Sequence, residues 1–220
     1  MSNKSKVNWD KAYKSGKYIG DEPIKFTKDI VNLVQLHLPS KAYGFYPGCG
    51  NGRNYLPLLD AGLMLEGNDI SSQAIQQLKK VRPSAKVEVG DFMKGSNKTY
   101  DYVVSIQLFQ HGTFSEVKKF FDKTYQLIND NGLFFLRVNS VNTQIIEDYE
   151  VVENTPENGL TILYKTGQKP GQNIHFYSAK EIQKLTADRY KVILPLREEV
   201  IYRDNGTYWV QWETVLQKIK

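Results

Sequence analysis

The feature that most constrains this chain is an apolar run, Ala42-Tyr43-Gly44-Phe45-Tyr46-Pro47, that breaks into the alternate glycines Gly48, Gly50 and Gly52 before a helix-like pattern begins. Glycine carries no Cβ and visits positive φ freely, so the backbone here can turn sharply and a ligand can lie directly on it. A helix starting just after such a turn points free N–H groups at that ligand. The dinucleotide fingerprint is Gly-x-Gly-x-x-Gly, whereas here the third glycine comes one residue early. That spacing argues against a pyrophosphate seated as in nicotinamide enzymes and reads as a phosphate-free nucleoside cradle.

Around this turn the sequence alternates strand and helix patterns. Val7 to Gly20 is amphipathic, with Trp9, Tyr13 and Tyr18 at near-helical spacing. Asp21-Glu22-Pro23 reads as a helix start, and the apolar period from Ile24 to Leu38 ends at Pro39-Ser40. Strand one is expected over 41–46, a helix from Arg53 closed by Gly62, and strand two over 64–70. Ser71 and Ser72 are N-caps for a helix over 74–81, followed by strand three over 85–89 and strand four over 100–106. Strand four is nearly all apolar, as a parallel strand buried on both faces should be. An amphipathic helix over 115–129 and a turn at Asp130-Asn131-Gly132 lead into strand five over 133–139. These alternations predict a parallel sheet with helices on both faces.

Beyond Ser140 the periodicity fades. Val141 to Tyr149 reads as a lid-like helix or a loop, and Gly159 to Lys165 as an extra strand before a turn at 167–171. Ser178 with Glu181 three positions later forms a capping-box pattern. A strand over 191–201, interrupted by Pro195, meets the turn Asp204-Asn205-Gly206-Thr207 and an antiparallel partner over 208–216.

Position in this scheme singles out further residues. Asp69 closes strand two, 17 residues past the last glycine (69 − 52). Parallel strands joined by one helix bring their carboxyl ends side by side, so an acid there can take both hydroxyls of a ribose lying over the turn. By the same geometry Asp91 is available to the exocyclic amine of a purine and Phe92 offers an apolar face beside its ring. His111, in the segment after strand four, either faces an acceptor as a general base or braces its loop.

The 220 residues fit one large α/β domain: an N-terminal helical cover over 1–40, a core over 41–139, a variable insertion over 140–176 and a terminal helix and hairpin over 177–220. The formal charge is +5, and the thinly lysine-rich start at Lys4, Lys6, Lys11, Lys14 and Lys17 reads as a solvated face rather than a nucleic-acid arm. A single cysteine, Cys49, excludes an intrachain disulfide, and three scattered histidines give no metal signature. No stretch approaches the ~20 apolar residues of a membrane span, and the N-terminus has no apolar signal core, so a reducing, cytoplasmic setting without membrane contact is expected.

Together the glycine turn, Asp69, Gly90-Asp91-Phe92, the edge of strand four and the terminal hairpin resemble the class I S-adenosylmethionine-dependent methyltransferase family. The opening Trp9-Asp10-Lys11-Ala12-Tyr13 with Asp21-Glu22-Pro23 is similar to its small-molecule members, the tellurite-resistance and thiopurine-type branches. The resemblance implies a Rossmann-like α/β fold: a mostly parallel seven-stranded sheet with an antiparallel terminal strand. It implies S-adenosyl-L-methionine as cofactor and S-adenosyl-L-homocysteine as product. Gly48, Gly50 and Gly52 would approach the methionyl and ribose parts, Asp69 the ribose hydroxyls, and Asp91 with Phe92 the adenine. Cys49, Asn54, Ile70 and Gln107 would complete the cofactor lining, with Trp9, Tyr13 and Tyr18 as an aromatic lid. One departure stands out: where the family places an acid two residues before the first glycine, this chain has Tyr46 followed by Pro47. Either Asp21 or Glu22 substitutes for that acid, or cofactor binding is weakened.

The leading expectation is methylation of a small-molecule acceptor by a monomer or homodimer. RNA methylation is supported only by the basic balance, and no Asn-Pro-Pro-Tyr type of sequence follows strand four, where Ser105-Ile106-Gln107-Leu108 stands. A non-catalytic scaffold that keeps the pocket is favoured by Tyr46-Pro47 alone.

Overall fold

The computed structural model describes residues 3–95, 98–167 and 169–220. Gln168, assigned above to the turn at 167–171, lies outside the described residues. The chain divides into two compact units, Met1–Val104 with Gln126–Leu133 and Ser105–Tyr125 with Phe134–Lys220.

In the first unit, helices α1 (Asn3–Lys14) and α2 (Phe26–His37) precede strand β1 (Tyr43–Pro47). Helix α2 starts later than Asp21-Glu22-Pro23 indicates. The amide of Ile24 donates to Asn54 Oδ1 (3.0 Å), which fixes that stretch outside the helix. Helix α3 (Tyr55–Asp60) then leads to β2 (Met64–Asp69), and α4 (Ser72–Val81) to β3 (Val87–Val89). Pro57 is tolerated in α3 as its third residue, where no intrahelical donor is required. Ser71 caps α4 as expected, its hydroxyl accepting from the Ala74 amide at 3.2 Å.

Strand β4 (Tyr100–Ile106) and helix α5 (Phe114–Leu127) lead into β5 (Ile128–Asn139). The turn expected at 130–132 is absorbed into β5, with Asn131 at φ 63°. The main sheet has seven strands in the order β3-β2-β1-β4-β5-β10-β9, where β9 is Tyr190–Tyr202 and β10 is Tyr208–Lys218. β1 pairs in parallel with β2 and β4, β2 with β3, and β10 antiparallel with β9. This is a mostly parallel sheet with one antiparallel edge and helices around it, the fold class expected from the sequence. Pro195 does not break β9: it falls at a register shift on the outermost strand, where a missing N–H leaves no ladder bond unmade.

The second unit departs most from expectation. The segment over 141–148 takes the loop form of the two expected, and it leads into a three-stranded antiparallel sheet of β6 (Tyr149–Asn154), β7 (Leu160–Tyr164) and β8 (Asn173–Phe176). Only the middle strand was indicated by the sequence. Ile162, Tyr164, Ile174 and Phe176 pack on one face of this sheet with Val141, Ile145 and Trp209. Thr161 and His175, paired across β7 and β8, are buried on the other. Helix α6 (Ala179–Thr186) keeps half of its capping box. Ser178 Oγ accepts from the Glu181 amide (3.1 Å), but the Glu181 side chain turns instead to His175 and Thr155. Among the described residues, no helix is long and apolar enough to cross a membrane.

Candidate functional site

After β1 the backbone runs through Gly48, Gly50 and Gly52 at φ 68°, 58° and 96°, the left-handed region expected of the glycine turn. Gly50 is the most constrained. A Cβ there would stand 2.5 Å from the Tyr13 hydroxyl, so the position carries no side chain without a shift of Tyr13.

The parallel register sets Pro47 opposite Asn68, which brings Asp69 to the glycine turn at the carboxyl end of β2. Asp69 is buried, its Oδ2 accepting from the Gly50 amide (2.9 Å) and its Oδ1 from the Ser71 amide (2.8 Å). Burial pushes its carboxyl up to about 6; the two amides pull it down, and the Asp10 carboxylate adds to the rise. Each oxygen has accepted one N–H, and a carboxylate offers about four lone-pair sites in all. Asp69 can therefore take two more donors, the number a vicinal diol presents.

Cys49 lies beside this acid. Burial and the nearby Asp69 charge hold its thiol far above the usual range, so it is a packed, protonated group and not a nucleophile.

Helix α1 and the turn after it bring the expected aromatics together over the same corner. The rings of Trp9 and Tyr13 lie 5.8 Å apart and those of Tyr13 and Tyr18 6.1 Å. Tyr18, at φ 63°, is flanked by the Lys17 ammonium at 5.0 Å and the Arg53 guanidinium at 4.5 Å. Polar ties hold the helix in place: Gln77 Nε2 donates to the Tyr13 carbonyl (2.8 Å) and Asn51 Nδ2 to the Lys17 carbonyl (3.2 Å). The Asp10 carboxylate accepts from Ser71 and Gln73. Sequence reasoning missed Asp10, Asn51 and Gln77 as contributors. The available signal was Asp10 inside the Trp9 to Tyr13 motif and the serine pair that begins α4.

The other expected residues fall into place with more local roles. Asn54 is buried and holds Ile24. Ile70 follows Asp69 half-buried, and Asp91 Oδ1 accepts from the Met93 amide at 3.0 Å, capping a short 3₁₀ turn. Phe92 is buried with its ring 6.2 Å from that of Phe45. Tyr46, at the position of the missing acid, is buried against Tyr55. Asp21, named above as a substitute, is exposed and bonded to Arg53 at 3.3 Å, and Glu22 is exposed.

In the second unit Gln107 takes φ 58°, with its amide donating to the Arg137 carbonyl (2.8 Å). His111 is half-buried, and its main chain bridges to Ile174 of β8. This unit also contains a buried cluster that the sequence did not indicate. His175 Nε2 meets Glu181 Oε2 at 2.7 Å, His175 Nδ1 meets Thr161 Oγ1 at 2.8 Å, and Thr155 Oγ1 donates to Glu181 Oε1 at 2.6 Å.

Residues 47–134 match the family described as a methyltransferase domain. No curated protein matches the chain. Among solved structures, the chain is similar to a Burkholderia thailandensis 1,6-didemethyltoxoflavin-N1-methyltransferase with 12% identity and a TM-score of 0.69, over 98% of this chain and 88% of that one. A Methanosarcina mazei SAM-dependent methyltransferase gives 16% and 0.66, over 85% and 97%. TehB from Haemophilus influenzae gives 16% and 0.66, over 96% and 67%. Residues 47–134 thus match a methyltransferase domain, and the chain has the fold of the class I S-adenosylmethionine-dependent methyltransferases.

Proposed function

We propose that this protein transfers a methyl group from S-adenosyl-L-methionine to a small-molecule acceptor, releasing S-adenosyl-L-homocysteine. The observation that carries the reading is the Asp69 carboxylate, buried at the end of β2 and bonded to the Gly50 amide with lone pairs to spare. The residues present fit the cofactor: a left-handed glycine turn that leaves no room for a side chain at Gly50, beside an acid suited to a diol. When bound, the cofactor supplies an already activated methyl on a sulfonium.

The chain's own residues bind, orient and exclude water. Gly48, Gly50 and Gly52 allow close approach, Asp69 accepts the ribose hydroxyls, and Ile70, Asp91 and Phe92 frame the base, with Cys49 and Asn54 shaping the turn. Trp9, Tyr13 and Tyr18 close over this corner, and orientation of this kind is worth ~7–11 kcal/mol in favourable intramolecular cases. The roles proposed for Gln107 as cofactor lining and His111 as acceptor-side base rest on their place after β4. A small acceptor is supported by the aromatic cover on α1 and by the likeness to a structure that holds 1,6-didemethyltoxoflavin.

The test is calorimetric titration with S-adenosylmethionine and S-adenosylhomocysteine beside Asp69→Ala, followed by transfer of labelled methyl into small-molecule extracts. Micromolar binding lost in the variant, with label leaving the cofactor, is the expected result. A second reading, cofactor binding without transfer, is favoured by the buried Tyr46 in place of an acid. It predicts binding with no label released.

A further inference from the structure

Helix α4 is capped twice. Its own N-cap, Ser71, accepts from the Ala74 amide, but the Gln73 amide in the same first turn donates to a residue 63 positions away, the Asp10 carboxylate on α1 (3.2 Å). The same Asp10 oxygen accepts from Ser71 Oγ at 2.7 Å, with Ser72 Oγ at 3.5 Å. A carboxylate at a helix N-terminus is favoured both by the free amides and by the helix dipole, and bonds to an ionised acceptor are the strong ones. Two further ties of the α1 region, from Gln77 and Asn51 to main-chain carbonyls, are between neutral groups.

Ser71 joins two acids at once. Its hydroxyl donates to Asp10 and its amide to Asp69, so the placement of α1 and the placement of the candidate ribose acid share one residue. The helix that Asp10 fastens is also the one that sets the Tyr13 hydroxyl over Gly50. We infer that Asp10 is a positioning residue: it latches α1 across the glycine turn, and through Ser71 it holds Asp69 in line to receive its ligand.

This inference rests on the proposed cofactor reading for its effect on binding, but not for the latch itself. A closed helix is the binding-competent state, and lowering its population lowers apparent affinity in proportion. Asp10→Ala removes the acceptor, whereas Asp10→Asn keeps one oxygen toward Ser71 and Gln73 and serves as the conservative variant.

Two measurements separate the claims. In the first, the full-length protein without cofactor is digested with trypsin, and cleavage after Lys11 and Lys14 is followed by mass spectrometry. Asp10→Ala is expected to be cut there about tenfold faster than the parent, with Asp10→Asn in between and cleavage elsewhere unchanged. Equal rates in parent and Asp10→Ala overturn the latch, whatever happens with ligand. In the second, S-adenosylhomocysteine is titrated into the same proteins. A five- to tenfold loss of affinity in Asp10→Ala, partly restored in Asp10→Asn, with an unchanged melting transition, supports the positioning role. Unchanged affinity in a parent that binds overturns it. A parent that does not bind while Asp69→Ala behaves identically counts against the cofactor reading, and the trypsin result then decides the latch alone.

Discussion

Two carboxylates in this protein are almost equally buried, Asp69 at 8% exposure and Glu181 at 1%, yet they are held in opposite ways. Glu181 is met on both oxygens by side chains, His175 Nε2 and Thr155 Oγ1, and lies so close to Gly159 that no Cβ fits there. Among the described residues, Asp69 is met by the backbone amides of Gly50 and Ser71. The first arrangement uses the acid as a tie between β8, α6 and the loop after β6. The second fixes the acid by main chain on either side and leaves its remaining lone pairs for something else. Burial alone does not separate a structural acid from a binding acid; the kind of partner does.

The largest effect should come from breaking the side-chain cluster. Glu181→Ala takes away the acceptor that the His175 imidazole and the Thr155 hydroxyl share in the interior, and each buried polar group left short of a partner costs about 1–3 kcal/mol. Urea titration should show that loss as a lowered midpoint with unchanged slope. A loss under about 1 kcal/mol would mean that water replaces the carboxylate and that the cluster is not a tie.

Asp69 should behave in the contrary sense, as a group that the fold tolerates at a cost. Its carboxyl is raised to about 6 from 3.8, chiefly by burial. Between these values the unfolded chain is ionised while the folded one keeps its proton, so stability from this group falls as pH rises through that window. The fall amounts to about 3 kcal/mol and is constant above it. Because other carboxylates titrate too, the quantity to measure is the parent minus Asp69→Asn difference across pH 4 to 7. A flat difference would remove the burial argument.

Binding should run the other way with pH. The ionised carboxylate is the form that accepts two hydroxyl donors, so affinity for S-adenosylhomocysteine should be level above pH 7 and weaken as Asp69 takes a proton below about 6. Asp69→Asn should cost tenfold or more in affinity at neutral pH, about 1.4 kcal/mol, while leaving the urea midpoint unchanged or raised. A variant that loses stability and affinity together would place Asp69 with Glu181, as a tie.

The same contrast explains what could be read from the chain. Asp69 was legible because its position follows from local pattern: an apolar run, a glycine turn, one helix and a second strand, whose register then delivers the acid. Strand β4 and the hairpin around Gly206 were legible for the same reason, each carried by a continuous apolar run or a turn motif. The cluster around Glu181 was not. β6 is exposed on nearly all its residues, so it has no alternation to detect, and β8 is four residues long. Their pairing is set by backbone hydrogen bonds and by β7 between them. Ser178 and Glu181 read as a capping box because that is a local pattern; the diversion of Glu181 to His175 is a tertiary event. Asp10 was missed likewise, since its partners lie about sixty residues on.

The smallest effect should come from the contact between the aromatic cover and the glycine turn. At Gly50, φ is 58°, and an alanine there pays for the left-handed backbone, roughly 1–2 kcal/mol. Its methyl would also meet the Tyr13 hydroxyl at 2.5 Å, whereas the ring carbon bearing that hydroxyl stands at 3.3 Å. Tyr13→Phe removes only the oxygen, so the backbone cost remains and most of the clash goes. In a double-mutant cycle Gly50→Ala should therefore be less damaging in the Tyr13→Phe background, by about 0.5–1 kcal/mol, within the range for residues in contact. A coupling of zero would mean that Tyr13 swings away from the turn without strain and that α1 rests on it loosely. A coupling near 1 kcal/mol would mean that the Tyr13 hydroxyl is held firmly against the turn, as the Asp10 latch on α1 requires.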